Sequence, residues 1–416
     1  MNKTFTLIII LIIIITPTLT YADETVTYES LTGVTIVDAD ISVADENQVD
    51  SIDSTEKDKN LRFSILGGPG YTPDYGFLIG GSALMTFNLP GMEGNIKRSV
   101  LPIAFALSFG NSVGLSLMIK PQLFFNKDNM QLMGDFIYSN LGSNYYGVGY
   151  DQNKSVIRGS ETTNYYYSQI RINPILLFRI SDSNWFIGPT SNYQYDNISD
   201  PAQGMIDDPD YIAAGGTADG YSTQNNGIGF SVSYDTRDIP ANAYKGIYFN
   251  LNALAYADWL GGEYNFQSVQ FKYRQYIQLS DKCDGRTLAW SISSENIFGD
   301  APFTRLSMLG SPFDLRGYYQ GQYRDKSTHF AMVEYRHKFH VEPIDFWSKL
   351  ANRFGFAAWA GSGFIGPSPI DIEGILPNFG AGLRIEVQPR MNFRVDIGYS
   401  PIDKQTLVYF NMTEAF

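Results

Sequence analysis

The stretch Phe393-Arg394-Val395-Asp396-Ile397-Gly398-Tyr399 alternates apolar and polar residues with a period of two. On a β-strand this period places Arg394 and Asp396 on one face and the apolar residues on the other. The dry core of a β-sandwich does not accept unpaired charge, so the charged face requires bulk water or a wet interior. The stretch therefore predicts a strand with one apolar face and one hydrated face.

The same alternation recurs along the chain. Arg, Lys, Glu, Gln and Asn occupy one parity, and apolar or aromatic residues mostly the other, at 247–252, 269–274, 333–338 and 383–388. Polar turn sequences separate such runs at 126–129, 181–184 and 281–285, as short hairpin connections do. A soluble sandwich also alternates, but charged residues in series on the inner face favour a transmembrane barrel, whose closed sheet satisfies every backbone group in lipid.

The number of strands follows from the length of the alternating region. Residues 61–416 accommodate about 16 strands, at roughly 20 to 24 residues for each strand with its connection, and bacterial barrels favour even numbers. The sequence therefore predicts an all-β fold, a transmembrane antiparallel β-barrel of about 16 strands over 61–416.

The composition narrows the function classes. The 416 residues include 39 Gly, 28 Tyr and 28 Phe, a combination typical of all-β chains with many turns. The net charge of -13 argues against nucleic acid as a partner. Cys283 is the only cysteine, which excludes an intramolecular disulfide. The histidines are His329, His337 and His340, and their spacing matches no recognisable metal or serine-hydrolase site. We therefore expect that the protein is not an enzyme and binds no cofactor or metal.

The first 60 residues predict an exported protein with an acidic tail. Lys3, the apolar run 7–15 and Ala22 form a secretory signal peptide over 1–22. Residues 23–60 carry eleven acidic residues against two lysines, which predicts a disordered periplasmic tail. A short apolar alternation between Val34 and Val43 leaves open that the tail adds a strand to a partner or plugs a pore.

The end of the chain also has strand character. Val408, Phe410 and Met412 share one parity with Phe416, and Glu414 interrupts their series. We therefore predict a last strand over 406–416 that ends on an aromatic residue, similar to the terminal strand of bacterial outer-membrane barrels.

A family resemblance rests on Ala301–Tyr318, which reads APFTRLSMLGSPFDLRGY. Together with Tyr323-Arg324-Asp325 and Glu334-Tyr335-Arg336, it resembles the barrel domain of the BamA/TamA superfamily of bacterial surface antigens. Leu315-Arg316-Gly317-Tyr318 matches the VRGF/Y loop motif of that superfamily. Further matches follow in order at 71–76, 146–149, 234–238 with Gly246, and 380–384, so the resemblance covers about 61–416.

In that family the motif lies on a long extracellular loop that folds into the lumen, where its arginine contacts acidic residues of the wall. The resemblance implies this role for Arg316, with Gly317 providing a tight turn and Tyr318 an amphipathic wedge. The candidate partners of Arg316 on the lumen face are Glu334, Glu386 and Asp396. A plainer interpretation, an exposed loop with a solvated arginine, remains open from the local sequence.

Two departures from the family limit what the resemblance implies. Trp359 stands where the family usually carries an Asp in a Phe-x-Asp-x-Gly strand motif, which weakens the expectation of a two-carboxylate clamp. Residues 23–60 are too few for a POTRA domain, the periplasmic unit that insertases of this family carry. The chain is therefore identified as a member of the branch without POTRA domains, whose activity the fold does not fix.

The resemblance implies a Gram-negative outer-membrane protein that assists insertion or translocation of protein or lipid. Its expected partners are the lipid bilayer, unfolded outer-membrane proteins and periplasmic chaperones. We expect it to act at the seam between the first strand, near 63–70, and the last, because Gly67, Gly68 and Gly70 weaken packing at that edge. These glycines could equally mark a bend or bulge. A gated or passive pore plugged by the Arg316 loop, and a structural or surface-exposed barrel, remain as alternatives.

Overall fold

The computed structural model describes residues 61–89, 92, 98–109, 113–388 and 390–416. In these residues the chain forms a closed antiparallel β-barrel of 16 strands, as predicted. The strands are β1 (Leu61–Thr72), β2 (Gly76–Phe87), β3 (Ser99–Ser108), β4 (Gly114–Ile119), β5 (Gln122–Phe125), β6 (Met130–Asn144), β7 (Asn164–Arg179), β8 (Trp185–Ser199), β9 (Tyr221–Asp235), β10 (Gly246–Tyr256), β11 (Phe266–Gln278), β12 (Arg286–Gly299), β13 (Ser307–Leu309), β14 (Tyr323–Asp325), β15 (Ser327–Lys338), β16 (Phe354–Gly366), β17 (Gly374–Gln388), β18 (Met391–Ser400) and β19 (Gln405–Met412).

Each wall strand pairs with its neighbours in the wall, and β1 pairs with β19 to close the barrel. The short strands β4 and β5 are two halves of one wall strand, since both lie between β3 and β6. The hairpin β13–β14 is a separate two-stranded sheet that is not part of the barrel wall.

The helical segments are short and lie in connections between strands. The α-helices span Tyr150–Ser155, Gln203–Ile206, Pro209–Ala213 and Phe346–Ala351, and the 3-10 helices span Pro240–Asn242, Asp258–Leu260 and Phe303–Arg305. Within the described part of the chain, none of these helices has the length and apolar character needed to cross a bilayer.

The period-two alternation separates a lipid face from a lumen face. Val333 and Ile397 are each 51% exposed on the outer wall, whereas their neighbours Glu334 and Asp396 are fully buried inside. Apolar residues can cover the outside because only lipid contacts it, and charges can line the inside because they pair across the lumen. The structure therefore confirms the face assignments that the alternation predicted.

The two ends of the barrel differ. We call the end with the short polar connections 126–129, 180–184 and 279–285 the hairpin end, and the end with the long connections 145–163, 200–220 and 300–326 the loop end. Outer-membrane barrels turn short connections to the periplasm and long loops to the outside, so the hairpin end is the periplasmic one.

The last residues correct one prediction. The final strand ends at Met412 rather than at 416, because Thr413 adopts a left-handed φ of 66°. Phe416 turns into the lumen, where it is 6% exposed and packs in one cluster with Tyr276 and Trp359. It is therefore not part of an apolar strand face. The predicted signal peptide and acidic tail, 1–22 and 23–60, lie outside the described residues.

Candidate functional site

The connection 300–326 folds back into the barrel, as the family resemblance implies. We call it the lumenal loop. Its apolar residues Leu309, Leu315 and Tyr318 are at most 3% exposed and pack with Ile365 and Leu376 of the wall. The loop is therefore held by packing as well as by charge.

Arg316 is fully buried between two strands of the wall. Its Nη2 lies 2.5 Å from Oε2 of Glu334 on β15, and its Nη1 lies 2.9 Å from Oδ2 of Asp396 on β18. Both carboxylates are also fully buried. A guanidinium matches this arrangement because its fixed fork of N–H groups donates to two acceptors at once.

The ion pairs extend beyond Arg316. Asp396 also accepts from Arg384 at 2.6 Å and from Arg394 at 2.5 Å. Arg336 donates to Glu334 at 2.7 Å, and Arg384 donates to Glu414 at 2.8 Å.

Within the described residues, this charge cluster comprises four arginines, Arg316, Arg336, Arg384 and Arg394, and three carboxylates, Glu334, Asp396 and Glu414. The paired groups are almost completely buried. Deleting one partner therefore leaves a buried charge uncompensated, which destabilises the folded barrel by about 3–5 kcal/mol. The cluster therefore fixes the position of the loop relative to β15, β17 and β18.

Trp359 stands at the position where the family resemblance implies a carboxylate. The guanidinium carbon of Arg316 lies 3.4 Å from the centroid of its ring. A cation over an aromatic face is attracted by the ring quadrupole, by up to about 2 kcal/mol when desolvated. Two wall carboxylates hold Arg316 nonetheless, because Asp396 on β18 supplies the second one.

Two glycines let the loop backbone touch the wall. Gly317 has φ 119°, a conformation that residues with a side chain rarely adopt. A Cβ on Gly317 would lie 2.8 Å from the carbonyl carbon of Tyr399, and a Cβ on Gly398 would lie 2.5 Å from that of Arg316. The predicted tight turn at Gly317 is thus matched by a glycine on the facing strand β18.

The lumenal loop is also bonded to the strand that closes the barrel. The hydroxyl of Tyr409 on β19 accepts from the Gly317 amide at 2.9 Å and donates to the Tyr318 carbonyl at 3.0 Å. Gln405 donates to the Gly317 carbonyl at 2.9 Å, and the Tyr323 hydroxyl donates to Asp403 at 3.0 Å. The loop therefore contacts β19 and the turn that precedes it.

On the other side of the seam, the loop reaches the turn between β1 and β2. The Gln320 amide donates to Asp74 Oδ2 at 3.1 Å, and Arg158 lies 3.5 Å from the other carboxylate oxygen. Burial raises the pKa of Asp74 to about 6, against the opposing effect of Arg158. One loop thus binds both strands that meet at the closure of the barrel.

The closure itself is short. Along the described residues of β1 and β19, only Tyr71 and Phe410 form a register pair, and their rings lie 5.8 Å apart. By contrast, β1 pairs with β2 along its whole length, from Leu61 with Phe87 to Thr72 with Gly76. Among the described residues, most of β1 therefore pairs with β2 alone, because β19 ends at Met412.

The three predicted seam glycines lie on this strand. Gly67 and Gly68 pair with Gly81 and Gly80 of β2, so no side chains cross-pack at these positions. A Cβ on Gly68 would meet nothing within 4 Å, whereas one on Gly70 would lie 2.7 Å from Leu78. The glycines form no bulge, since the register with β2 is continuous.

The structure brings Leu315, Arg316, Gly317 and Tyr318 together with Glu334 and Asp396, but not with Glu386. Glu386 lies nearer the hairpin end, where it pairs with Lys338 at 2.6 Å. It shares the lumen face with Asp396, but parity does not specify height along the barrel. The sequence reasoning also missed Tyr409 and Asp74, because single polar residues carry no periodic signal.

A closed 16-strand barrel with an apolar outer wall and a charged lumen defines the chain as an integral outer-membrane β-barrel of the Gram-negative type. A family model described as the Omp85 superfamily domain matches residues 105–365. The chain therefore belongs to the Omp85 superfamily, which confirms the resemblance indicated by the loop motif. No curated protein matches the chain by sequence.

Solved structures share the fold. BamA from Haemophilus ducreyi, lacking POTRA domains 1–3, has a TM-score of 0.57 at 13% identity over 84% of this chain and 70% of that one. CdiB from Acinetobacter baumannii has a TM-score of 0.52 at 13% identity over 85% and 60%, respectively. CdiB from Escherichia coli has a TM-score of 0.54 at 11% identity over 95% and 67%. The chain thus spans 60 to 70% of these proteins' lengths.

Proposed function

We propose that this barrel assists the insertion of protein into the outer membrane, or its translocation across it, by opening between β1 and β19. The observation that carries the proposal is the closure of the described residues by one register pair, Tyr71 with Phe410. Unpaired backbone N–H and C=O groups are costly in lipid, so a strand edge of this kind favours pairing with an added strand. Unfolded outer-membrane proteins, delivered by periplasmic chaperones, are the clients that supply such strands, and lipid is a further candidate cargo.

The lumenal loop has a defined part in this proposal. It is bonded to β19 through Tyr409 and to the β1–β2 turn through Asp74. Its position is set by the ion pairs of Arg316. The loop therefore supports both sides of the seam and keeps their edges in place to receive a client strand, so loss of the Arg316 ion pairs should impair the activity. No catalytic step is part of the proposal.

The test is the folding of an unfolded outer-membrane barrel client into liposomes that contain this protein. Liposomes with the wild-type barrel should fold the client faster than empty liposomes, and Arg316→Ala should lose the acceleration. Arg171→Ala is a matched control, because Arg171 is also a lumenal arginine but pairs with Asp135 at 2.8 Å, outside the charge cluster that holds Arg316. Failure of the folded wild-type barrel to accelerate any client would contradict the proposal.

A pore is the second candidate, and the size of the lumen favours it. The described residues enclose a cavity of about 1910 Å³, lined by eleven basic and eight acidic side chains. A pore of this kind should prefer anions, because its wall carries an excess of positive charge. Planar-bilayer conductance separates the two functions: Arg316→Ala should increase conductance strongly if the loop is a plug, and leave it nearly unchanged if the loop is a seam brace.

A further inference from the structure

The connection between β15 and β16, residues 339–353, exposes apolar side chains at the hairpin end. Ile344, Phe346 and Trp347 are 82, 69 and 71% exposed, and no residue of the helix Phe346–Ala351 is buried. The connections 126–129 and 181–184 at the same end are polar. A local apolar surface of this kind indicates an interaction site.

The conformation of this connection is fixed by its own hydrogen bonds. A helix of six residues is unstable alone in water, but Asp345 caps it: the carboxylate accepts from the Ser348 amide at 2.8 Å, and the Asp345 amide donates to the Ser348 hydroxyl at 2.9 Å. The Asn352 side chain accepts from the Val341 amide at 2.6 Å and donates to its carbonyl at 2.8 Å. The apolar side chains are therefore presented on an ordered scaffold.

The barrel wall beside the connection continues the same surface. Tyr335 and His337 share the outward parity of Val333, and Phe339 follows them. The ring of Phe356 on β16 lies 5.2 Å from that of His337 and 6.1 Å from those of Tyr335 and Phe339. This aromatic cluster lies on the lipid face of the wall where β15 ends and β16 begins.

A second aromatic group lies near the hairpin end of other strands. Trp185 contacts Tyr234 and Phe249 at 4.9 and 5.3 Å between ring centroids, and Phe249 contacts Phe271 at 5.5 Å. Their lumen-facing neighbours on β9, β10 and β11 line the cavity, so these rings face outward. Aromatic girdles of this kind mark the level of the lipid headgroups.

We propose that residues 339–353 lie in the headgroup region of the periplasmic leaflet and anchor this side of the barrel to lipid. Ile344, Phe346 and Trp347 would insert beside the aromatic cluster, because tryptophan and phenylalanine favour the boundary between headgroups and acyl chains. Lys349 and Arg353 would then reach lipid phosphates with their flexible side chains. The anchored strands β15 and β16 are those that carry Glu334 and Trp359, so lipid contact here fixes the depth of the wall that holds the lumenal loop.

The test uses a fluorophore at the proposed insertion point. Phe346→Cys is made in a Cys283→Ser background, labelled with an environment-sensitive dye such as NBD, and reconstituted in vesicles with and without lipids brominated near the headgroup end of the acyl chains. Asp182→Cys in the same background is the matched control, because Asp182 is exposed in a polar turn at the same end. We expect emission from position 346 to lie at least 10 nm to the blue of position 182 and to be quenched at least twofold more by bromine.

Equal emission maxima and equal quenching at the two positions would overturn the proposal, since the connection would then stand in water. Both labelled positions are exposed, so labelling should leave the barrel folded, which a heat-modifiability gel verifies. A second variant, Ile344→Ser with Trp347→Ser, should reduce the quenching of the dye at position 346 to that at position 182. Unchanged quenching in this variant would also contradict the assigned apolar contact.

Discussion

The guanidinium carbon of Arg316 lies 3.4 Å from the ring centroid of Trp359, the residue that stands where the family resemblance implies a carboxylate. The same guanidinium is paired with Glu334 and Asp396. The aromatic ring therefore takes the place of one acidic group without leaving the arginine unpaired. It also covers the charges with an apolar surface, which strengthens their attraction by excluding water.

This arrangement predicts a graded response at position 359. Trp359→Phe keeps an aromatic face and should lower the free energy of unfolding by about 1–2 kcal/mol. Trp359→Leu also loses the cation–π contact, so it should lower the free energy of unfolding by about 3 kcal/mol in total. Urea unfolding in lipid vesicles measures both values. Equal effects of the two variants would show that the ring acts by volume alone.

Neutralising different carboxylates of the lumen should lower the free energy of unfolding by different amounts. Asp396→Asn affects three arginines and Glu334→Gln affects two, so each should destabilise the barrel by about 3–5 kcal/mol, with Asp396→Asn the larger. Glu386→Gln is the control, because its pair with Lys338 is partly exposed and is worth at most about 1 kcal/mol. A Glu386 variant as unstable as the other two would contradict the assignment of Arg316 to Glu334 and Asp396.

The close contact between loop and wall predicts an effect of a single methyl group. Gly398→Ala places a Cβ 2.5 Å from the Arg316 carbonyl carbon, so the loop must shift, and limited proteolysis should cleave within 300–326 faster than in the wild type. Gly68→Ala is the matched control, because its Cβ meets nothing within 4 Å. Slow cleavage in both variants would mean that the contact is not needed to hold the loop.

Asp74 predicts a pH dependence. Its pKa is raised from 3.8 to about 6 by burial, with Arg158 opposing the rise. The folded barrel therefore holds this proton between pH 4 and 6 while the unfolded chain releases it, so stability falls as the pH rises through this range and is constant above it. The rise corresponds to about 3 kcal/mol.

Asp74→Asn should remove this pH-dependent contribution to stability. The free energy of unfolding of the wild type, relative to that of the variant, should therefore fall as the pH rises from about 4 to about 6. Asp182→Asn, in an exposed turn, should change nothing. A difference for Asp74→Asn that is flat across the range would refute the burial effect.

The sequence predicted the wall of the barrel well because lipid on one face and water on the other require apolar and polar residues to alternate along each strand. Arg394 and Asp396 alternate with apolar residues, and this fixes their face whatever the rest of the chain does. The same rule placed Glu334 beside the lumen, where the structure brings it to Arg316. Alternation specifies the face of a residue but not its height, so it did not separate Asp396 from Glu386.

The alternation did not predict the local backbone conformation or the contacts made by single residues. The alternation continues through Glu414 and Phe416, but the left-handed backbone at Thr413 turns the chain into the lumen. A threonine gives no signal for this, since it usually favours extended backbone. Tyr409 and Asp74, which bind the loop from the two sides of the seam, are likewise single residues whose role depends on tertiary contacts.

Locking the seam with a disulfide tests whether the barrel works by opening between β1 and β19. Tyr71→Cys with Phe410→Cys in a Cys283→Ser background places a disulfide across the register pair. Ile397→Cys with Val408→Cys locks β18 to β19, which need not separate. The oxidised seam lock should abolish client folding into liposomes, a reductant should restore it, and the control lock should have no effect. Client folding at the wild-type rate by the oxidised seam-locked barrel would show that the activity does not require opening between β1 and β19.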